Sequence, residues 1–270
     1  VGAAALSQWV EPAASDVFEC GLYSTAGFAV GSSVSLLGQW SPRGRALWIN
    51  GFALGTTAAG ILAAPHTTFS KPDRWLVSAT TLLGASAGTA MPWSIYGSDR
   101  QITGRHVMGG LLGGTGMGLL SGLALSQAVE LQRSDVLELT IGGAAGAMTG
   151  LGLGLLSSKG HRAPAILAQS FGVGSAVAVG FFAPRTSFSW RQTLLGTVSL
   201  AHGVWNGVGL SLLMDGNDRQ VSGSALLVAG LGGLGGSVAS QFLRLTWTDV
   251  LTLFAGSVWG PESYFDYYFP

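Results

Sequence analysis

The sequence predicts an all-α fold, a polytopic transmembrane helical bundle of about eight spans built from tandem glycine-rich hairpins. Three observations predict it. Only 10% of the 270 residues are charged, against about 25% in an ordinary soluble domain. The charges cluster, leaving eight stretches of 20–25 residues with no Asp, Glu, Lys or Arg. The chain holds 43 glycines, about twice average usage, and they recur at helical spacings.

The stretches run Cys20–Pro42, Ala46–Ser70, Trp75–Ser98, His106–Val129, Leu139–Ser158, Ala163–Pro184, Gln192–Met214 and Gln220–Leu243. A helix rises about 1.5 Å per residue, so about 20 residues cross a hydrocarbon core of roughly 30 Å. Soluble helices average about 11–12 residues and keep one polar face. These stretches are apolar or small on every side, and the most polar groups within them are hydroxyls, amides and an occasional histidine. Transmembrane strands would alternate apolar and polar residues over about 10 positions. Val107–Leu125 does not alternate, and its glycines are spaced by three and four, which is a helical period.

Glycine costs a water-exposed helix about 1 kcal/mol relative to alanine. Between membrane helices it lets two backbones approach closely. Gly27/Gly31, Gly51/Gly55, Gly84/Gly88, Gly110/Gly114/Gly118, Gly146/Gly150, Gly203/Gly207 and Gly232/Gly236 all have small-xxx-small spacing. Recurrence in nearly every stretch makes helix-on-helix contact the main design feature. Gly27, Gly31, Gly84, Gly88, Gly146, Gly150, Gly203 and Gly207 are the expected packing residues.

The chain repeats itself at an offset of 119 residues. GSDRQITG at Gly97–Gly104 matches GNDRQVSG at Gly216–Gly223. Pro65, Thr67, Phe69 and Ser70 match Pro184, Thr186, Phe188 and Ser189, and Glu19 matches Glu138. Loops match as well as helices, which points to tandem duplication. The expected organisation is a first copy over 1–119, a second over 120–238, and over 239–270 the start of a third with an aromatic tail. Ser240-Gln241 and Thr248-Asp249 open that third copy, echoing Ser126-Gln127 and Ser134-Asp135. A shorter period of 57–62 residues marks single hairpins. Val1–Val10 then corresponds to the end of a helix, so a processed product or the ordered part of a longer chain is expected.

Basic residues divide six against seven between the two sets of turns, so the positive-inside rule assigns no orientation. Trp9, Trp40, Trp48, Trp75, Trp93, Trp190 and Trp247 lie near stretch ends, as in an interfacial belt. The aromatic tail, Tyr264–Phe269, reads as a docked terminus.

Few residues offer chemistry. His202 and Asn206 are four apart, on one helix face, where the first copy has Leu83 and Ala87. They are either interhelical hydrogen-bond ties or a ligand site. Asn50 and Gln169 hold equivalent repeat positions and read as structural amides, as do the recurring Ser-Gln pairs. Asp16, Asp135 and Asp249 each follow Ser or Thr and open a helix, where they cap free amides. The turns at Asp99-Arg100 and Asp218-Arg219 read as local caps and pairs. GxGxxG at Gly230–Gly235 lacks the preceding strand and later acid of a dinucleotide site. Cys20 is the sole cysteine, which excludes a disulfide framework. Balanced charge, thirteen basic against thirteen acidic residues, argues against nucleic acid.

The sequence therefore leads to a non-catalytic, multi-pass membrane domain without cofactor or metal. It anchors or assembles a larger complex with lipid, other membrane subunits or copies of itself. The alternative is a transporter or channel with a polar site at His202 and Asn206, for which intramembrane charge is lacking. A soluble helical solenoid is a weaker reading, and an intramembrane enzyme is remote.

Overall fold

The computed structural model describes residues 14–38, 40–96, 102–186, 189–243, 246–249, 251–252 and 255. The Ser7-Gln8 pair, Trp9, the Asp99-Arg100 turn and the aromatic tail lie outside them. Eight long helices fill the described residues, with no strand among them: α1 (Ala14–Leu37), α2 (Pro42–Ala63), α3 (Lys71–Tyr96), α4 (Gly104–Ala128), α5 (Arg133–Ser157), α6 (Arg162–Phe182), α7 (Trp190–Leu213) and α8 (Asp218–Ser240). Short 3-10 turns, Ala64–His66 and Ala183–Arg185, follow α2 and α6.

Each helix starts one to six residues ahead of its charge-free stretch. The difference is physical: the charged residues belong to the first turn, where amides lack intrahelical partners. Several helices begin with a reciprocal cap. Asp73 accepts the Ser70 amide at 2.6 Å and Asp135 the Gln132 amide at 2.8 Å. Gln192 and Gln220 do the same for Ser189 and Asn217, at 2.6 and 2.9 Å. Six helices are long and apolar enough to cross a membrane: α1, α2, α4, α5, α6 and α8. The other two, α3 and α7, are as long but less apolar.

The chain divides into two compact units that part between Leu131 and Gln132. The sequence-based copy boundaries at 119/120 and 238/239 fall within α4 and α8. In the first unit α2 packs on α1, α1 on α4, and α4 on α3. In the second α6 packs on α5, α5 on α8, and α8 on α7. Each unit is thus a row whose middle pair is its first and last helix. The second and third helices, though consecutive in sequence, stand at opposite edges.

The connection between those edge helices therefore passes under the row. In the first unit Ala64 is buried, Phe69 packs against the small core of Ala26, Val77, Leu119 and Leu123, and the Gln127 amide reaches the Thr68 carbonyl at 3.4 Å.

Arginines close the opposite ends of the central helices. Arg105 donates to the Leu36 and Gly38 carbonyls at the end of α1. Arg219 donates to the Leu155 carbonyl at 3.0 Å and the Gly160 carbonyl at 2.8 Å at the end of α5. This corrects the local-pair reading of Asp218-Arg219, because the guanidinium satisfies carbonyls from a distant part of the chain. It also corrects the register. Leu36 and Leu155 are 119 apart, yet the arginines on them are 114 apart. The segment Gly216–Gly223 runs into α8, whereas its best sequence match ends where α4 begins.

Candidate functional site

The closest contacts are between backbones at glycine. Within α3 and α4, a Cβ added at Gly84 or Gly88 would overlap the carbonyl oxygens of Gly114 or Gly110, and one at Gly114 would overlap the Gly84 carbonyl. Gly27 and Gly31 on α1 are closed off by α2, with a Gly31 Cβ 2.7 Å from the Trp48 carbonyl oxygen. On α5, a Cβ at Gly146 would lie 2.5 Å from the Phe171 carbonyl oxygen, and one at Gly150 would overlap the Leu167 carbonyl. On α7, a Cβ at Gly203 would lie 2.5 Å from the Val228 carbonyl oxygen, and one at Gly207 would overlap the Ser224 carbonyl. Such approaches place carbonyls against Cα carbons with no intervening side chain, which gains dispersion contact at no side-chain entropy cost. Gly51 and Gly55 differ from the other pairs: a Cβ at either would meet nothing within 4 Å.

A second recurring feature is a buried carboxyl. Glu19, only 2% exposed, lies on α1 under the connection that leaves α2. Thr67 Oγ1 sits 2.8 and 2.9 Å from its two oxygens and donates to the carboxyl. In the second unit Thr186 Oγ1 donates to Glu138 at 2.9 Å. The two ties are 119 residues apart at both ends. Each fixes the turn after an edge helix to the foot of a central one. Glu138 is less buried than Glu19.

Buried Glu19, together with the buried capping acids Asp73 and Asp135, corrects the expectation that charge is nearly absent from the interior. Their positions explain why they escape a scan for long charge-free runs. All three lie in the first two turns of a helix, just outside those runs. The matching spacing of Glu19/Glu138 and Thr67/Thr186 is the sequence signal that marks the Glu–Thr tie.

The polar residues singled out from sequence do not converge. His202 and Asn206 are both exposed on α7, and the Asn206 amide donates to the His202 backbone carbonyl at 3.0 Å, within its own helix. Asn50 is exposed on α2 and donates to the Ala46 carbonyl at 2.8 Å. Gln169 is half-buried on α6. Ser126 and Ser240 are buried and donate to the Leu123 and Ser237 carbonyls at 2.8 and 2.6 Å. Among the described residues no group of three His, Cys, Asp or Glu side chains is placed to hold a metal ion.

Asp249 lies beyond α8. Its carboxyl accepts the Thr246 amide at 2.8 Å and hydroxyl at 2.7 Å, and these bonds hold it below the usual carboxylate range. The hydroxyl accepts the Asp249 amide at 3.3 Å, completing a capping box.

No family model matches the chain, and no curated protein or solved structure is significantly similar to it.

Proposed function

We propose that this chain is a non-catalytic membrane scaffold, a glycine-zipper-packed array of helical hairpins that anchors or assembles a larger membrane complex. The observation that carries the reading is repetition of one packing scheme. Both units have the same helix order, glycine-backbone contacts in both hairpins, and one Glu–Thr tie. A tandem duplication explains this recurrence, with all eight helices acting as spans. The polar content of α3 and α7 then reflects contact with protein as well as lipid. Conserved packing contacts, rather than a shared polar cavity, are what the two units have in common. The alternative reading, a pathway through His202 and Asn206, gains little support, because Asn206 uses its amide on its own helix.

The test is biochemical. After lysis the chain is extracted with carbonate and then with mild detergent, and whatever co-purifies is identified by mass spectrometry. The scaffold reading expects carbonate-resistant membrane retention and stoichiometric partners, either other subunits or further copies. Release into the aqueous fraction removes the membrane assignment. Retention as a lone monomer removes the scaffold.

A further inference from the structure

The hairpins share one internal register. Gly27 and Gly31 meet Thr56 and Trp48 across α1 and α2, and Gly84 and Gly88 meet Gly118 and Gly110 across α3 and α4. Each residue of α1 thus has a counterpart on α3, and each residue of α2 one on α4. The same holds for α7 and α8, where Gly203 and Gly207 meet Val228 and Ser224.

A different face joins one hairpin to the next. On α4, Gly109, Gly113 and Gly116 lie against Leu37, Ser33 and Val30 of α1, and Ser33 donates to the Gly109 carbonyl at 2.6 Å. In the second unit Gly223 lies against Leu156, Gly152 against Leu227, and Gly230 against Thr149. These are the same three contacts at corresponding positions, so one hairpin-to-hairpin interface is built twice.

Among the edge helices, α2 and α7 each carry a face of this interface that lacks a described partner. The α2 counterparts of Gly109, Gly113 and Gly116 are Leu47, Gly51 and Leu54. Leu47 and Leu54 are 69% and 71% exposed, and a groove runs along α2 past Leu47, Gly51 and Gly55. The α7 counterparts of Leu37, Ser33 and Val30 are Leu213, Gly209 and Asn206. Leu213 is 67% exposed, and a Cβ at Gly51 or at Gly209 would meet nothing within 4 Å. Polarity points the same way. The edge helix α7 has a lipid-like length but falls short of the apolarity of the six candidate spans. Its exposed histidine and asparagine suit a helix contact better than hydrocarbon.

We propose that α2 of one copy docks on α7 of a second copy, antiparallel, in the register that joins α4 to α1. Gly51 crosses Gly209, Leu47 meets Leu213, and Asn50 and Asn206 lie within a turn of the crossing. The occupant is a second copy because one chain carries both halves of an interface it already builds twice. The contact is heterologous, so it propagates head to tail into a ring or a row. This inference rests on the scaffold reading and names its partner.

The test uses disulfide trapping in native membranes, in a Cys20→Ala background. A chain carrying both Gly51→Cys and Gly209→Cys gives a ladder of dimer and higher species on non-reducing gels. Two singly substituted chains, co-expressed, give a dimer only. No crosslink, a crosslink within one chain, or a dimer from Gly51→Cys alone overturns the proposal. As a second measurement, Gly51→Leu or Gly209→Leu reduces self-association at least tenfold in native mass spectrometry while helicity is unchanged, since both sites are open within the chain. Undiminished self-association also overturns the proposal. If other subunits co-purify while the crosslink fails, the head-to-tail contact is wrong and the scaffold survives. A lone monomer removes both.

Discussion

Replacing Thr67 with valine keeps the side-chain shape and removes one hydroxyl. Glu19 then loses the donor that lies 2.8 Å from its carboxyl. At 2% exposure no water stands ready to replace it. A buried polar group left without its partner costs about 1–3 kcal/mol. Thr67→Val is therefore expected to destabilise by about 2–3 kcal/mol. The second unit supplies an internal control. Thr186→Val removes the same bond from Glu138, which is only half-buried, so water replaces part of the loss and the cost falls to about 1 kcal/mol. Pairing Thr67→Val with Glu19→Leu recovers much of the loss, because removing both polar partners is nearly neutral. The assay is reversible unfolding in mixed micelles by SDS titration, followed by circular dichroism. Equal costs for Thr67→Val and Thr186→Val, or strict additivity in the cycle, would refute the burial argument.

Three further outcomes are expected. Gly84→Val or Gly114→Val forces a side chain into a facing backbone that has no flexible atoms to yield, costing about 3 kcal/mol or more; Gly174→Ala, at an open site on α6, shifts the same unfolding curve by less than about 0.5 kcal/mol. Arg219→Ala frees the Leu155 and Gly160 carbonyls, and hydrogen exchange at the amides of the last turn of α5 accelerates several-fold while the middle of α5 is unaffected. In a carbon-13 NMR titration the Asp249 carboxyl protonates below the usual aspartate value, and Thr246→Val moves it back upward. Since its folded value is lowered, the cap's contribution is present at neutral pH and is lost only as pH falls through that lowered value.

The helices were legible because hydrophobic length is a one-dimensional property. A run such as His106–Val129 needs only its composition to declare a helix long enough for a bilayer. Helix starts were blurred by the same criterion, since Asp135 and Arg105 count as interruptions in sequence and as capping groups in space. The tie at Glu19 was half visible: its spacing matched Glu138, but its burial depends on a connection crossing beneath α1. Helix order within a unit was not legible. Nothing local tells Gly109 that it will meet α1 while Gly110, one residue on, meets α3. His202 and Asn206 looked like a pair because four residues make one turn, yet the nearest acceptor for an asparagine on a helix is its own backbone. The repeat also misled at its clearest point. Identical letters in GSDRQITG and GNDRQVSG fixed a spacing of 119, whereas the packed residues of α4 and α8 correspond at 114.

Placing the first and last helices of a unit at its centre has a consequence for synthesis. Ser33 and the carbonyl it serves are 76 residues apart. At about 5–20 residues per second, the ribosome needs roughly 4–15 s to deliver the second after the first. On the membrane reading proposed above, the leading hairpin waits in the bilayer during that interval with its small-residue face uncovered. It is then open to capture by whichever neighbour arrives first, including a nascent sister chain on the same message.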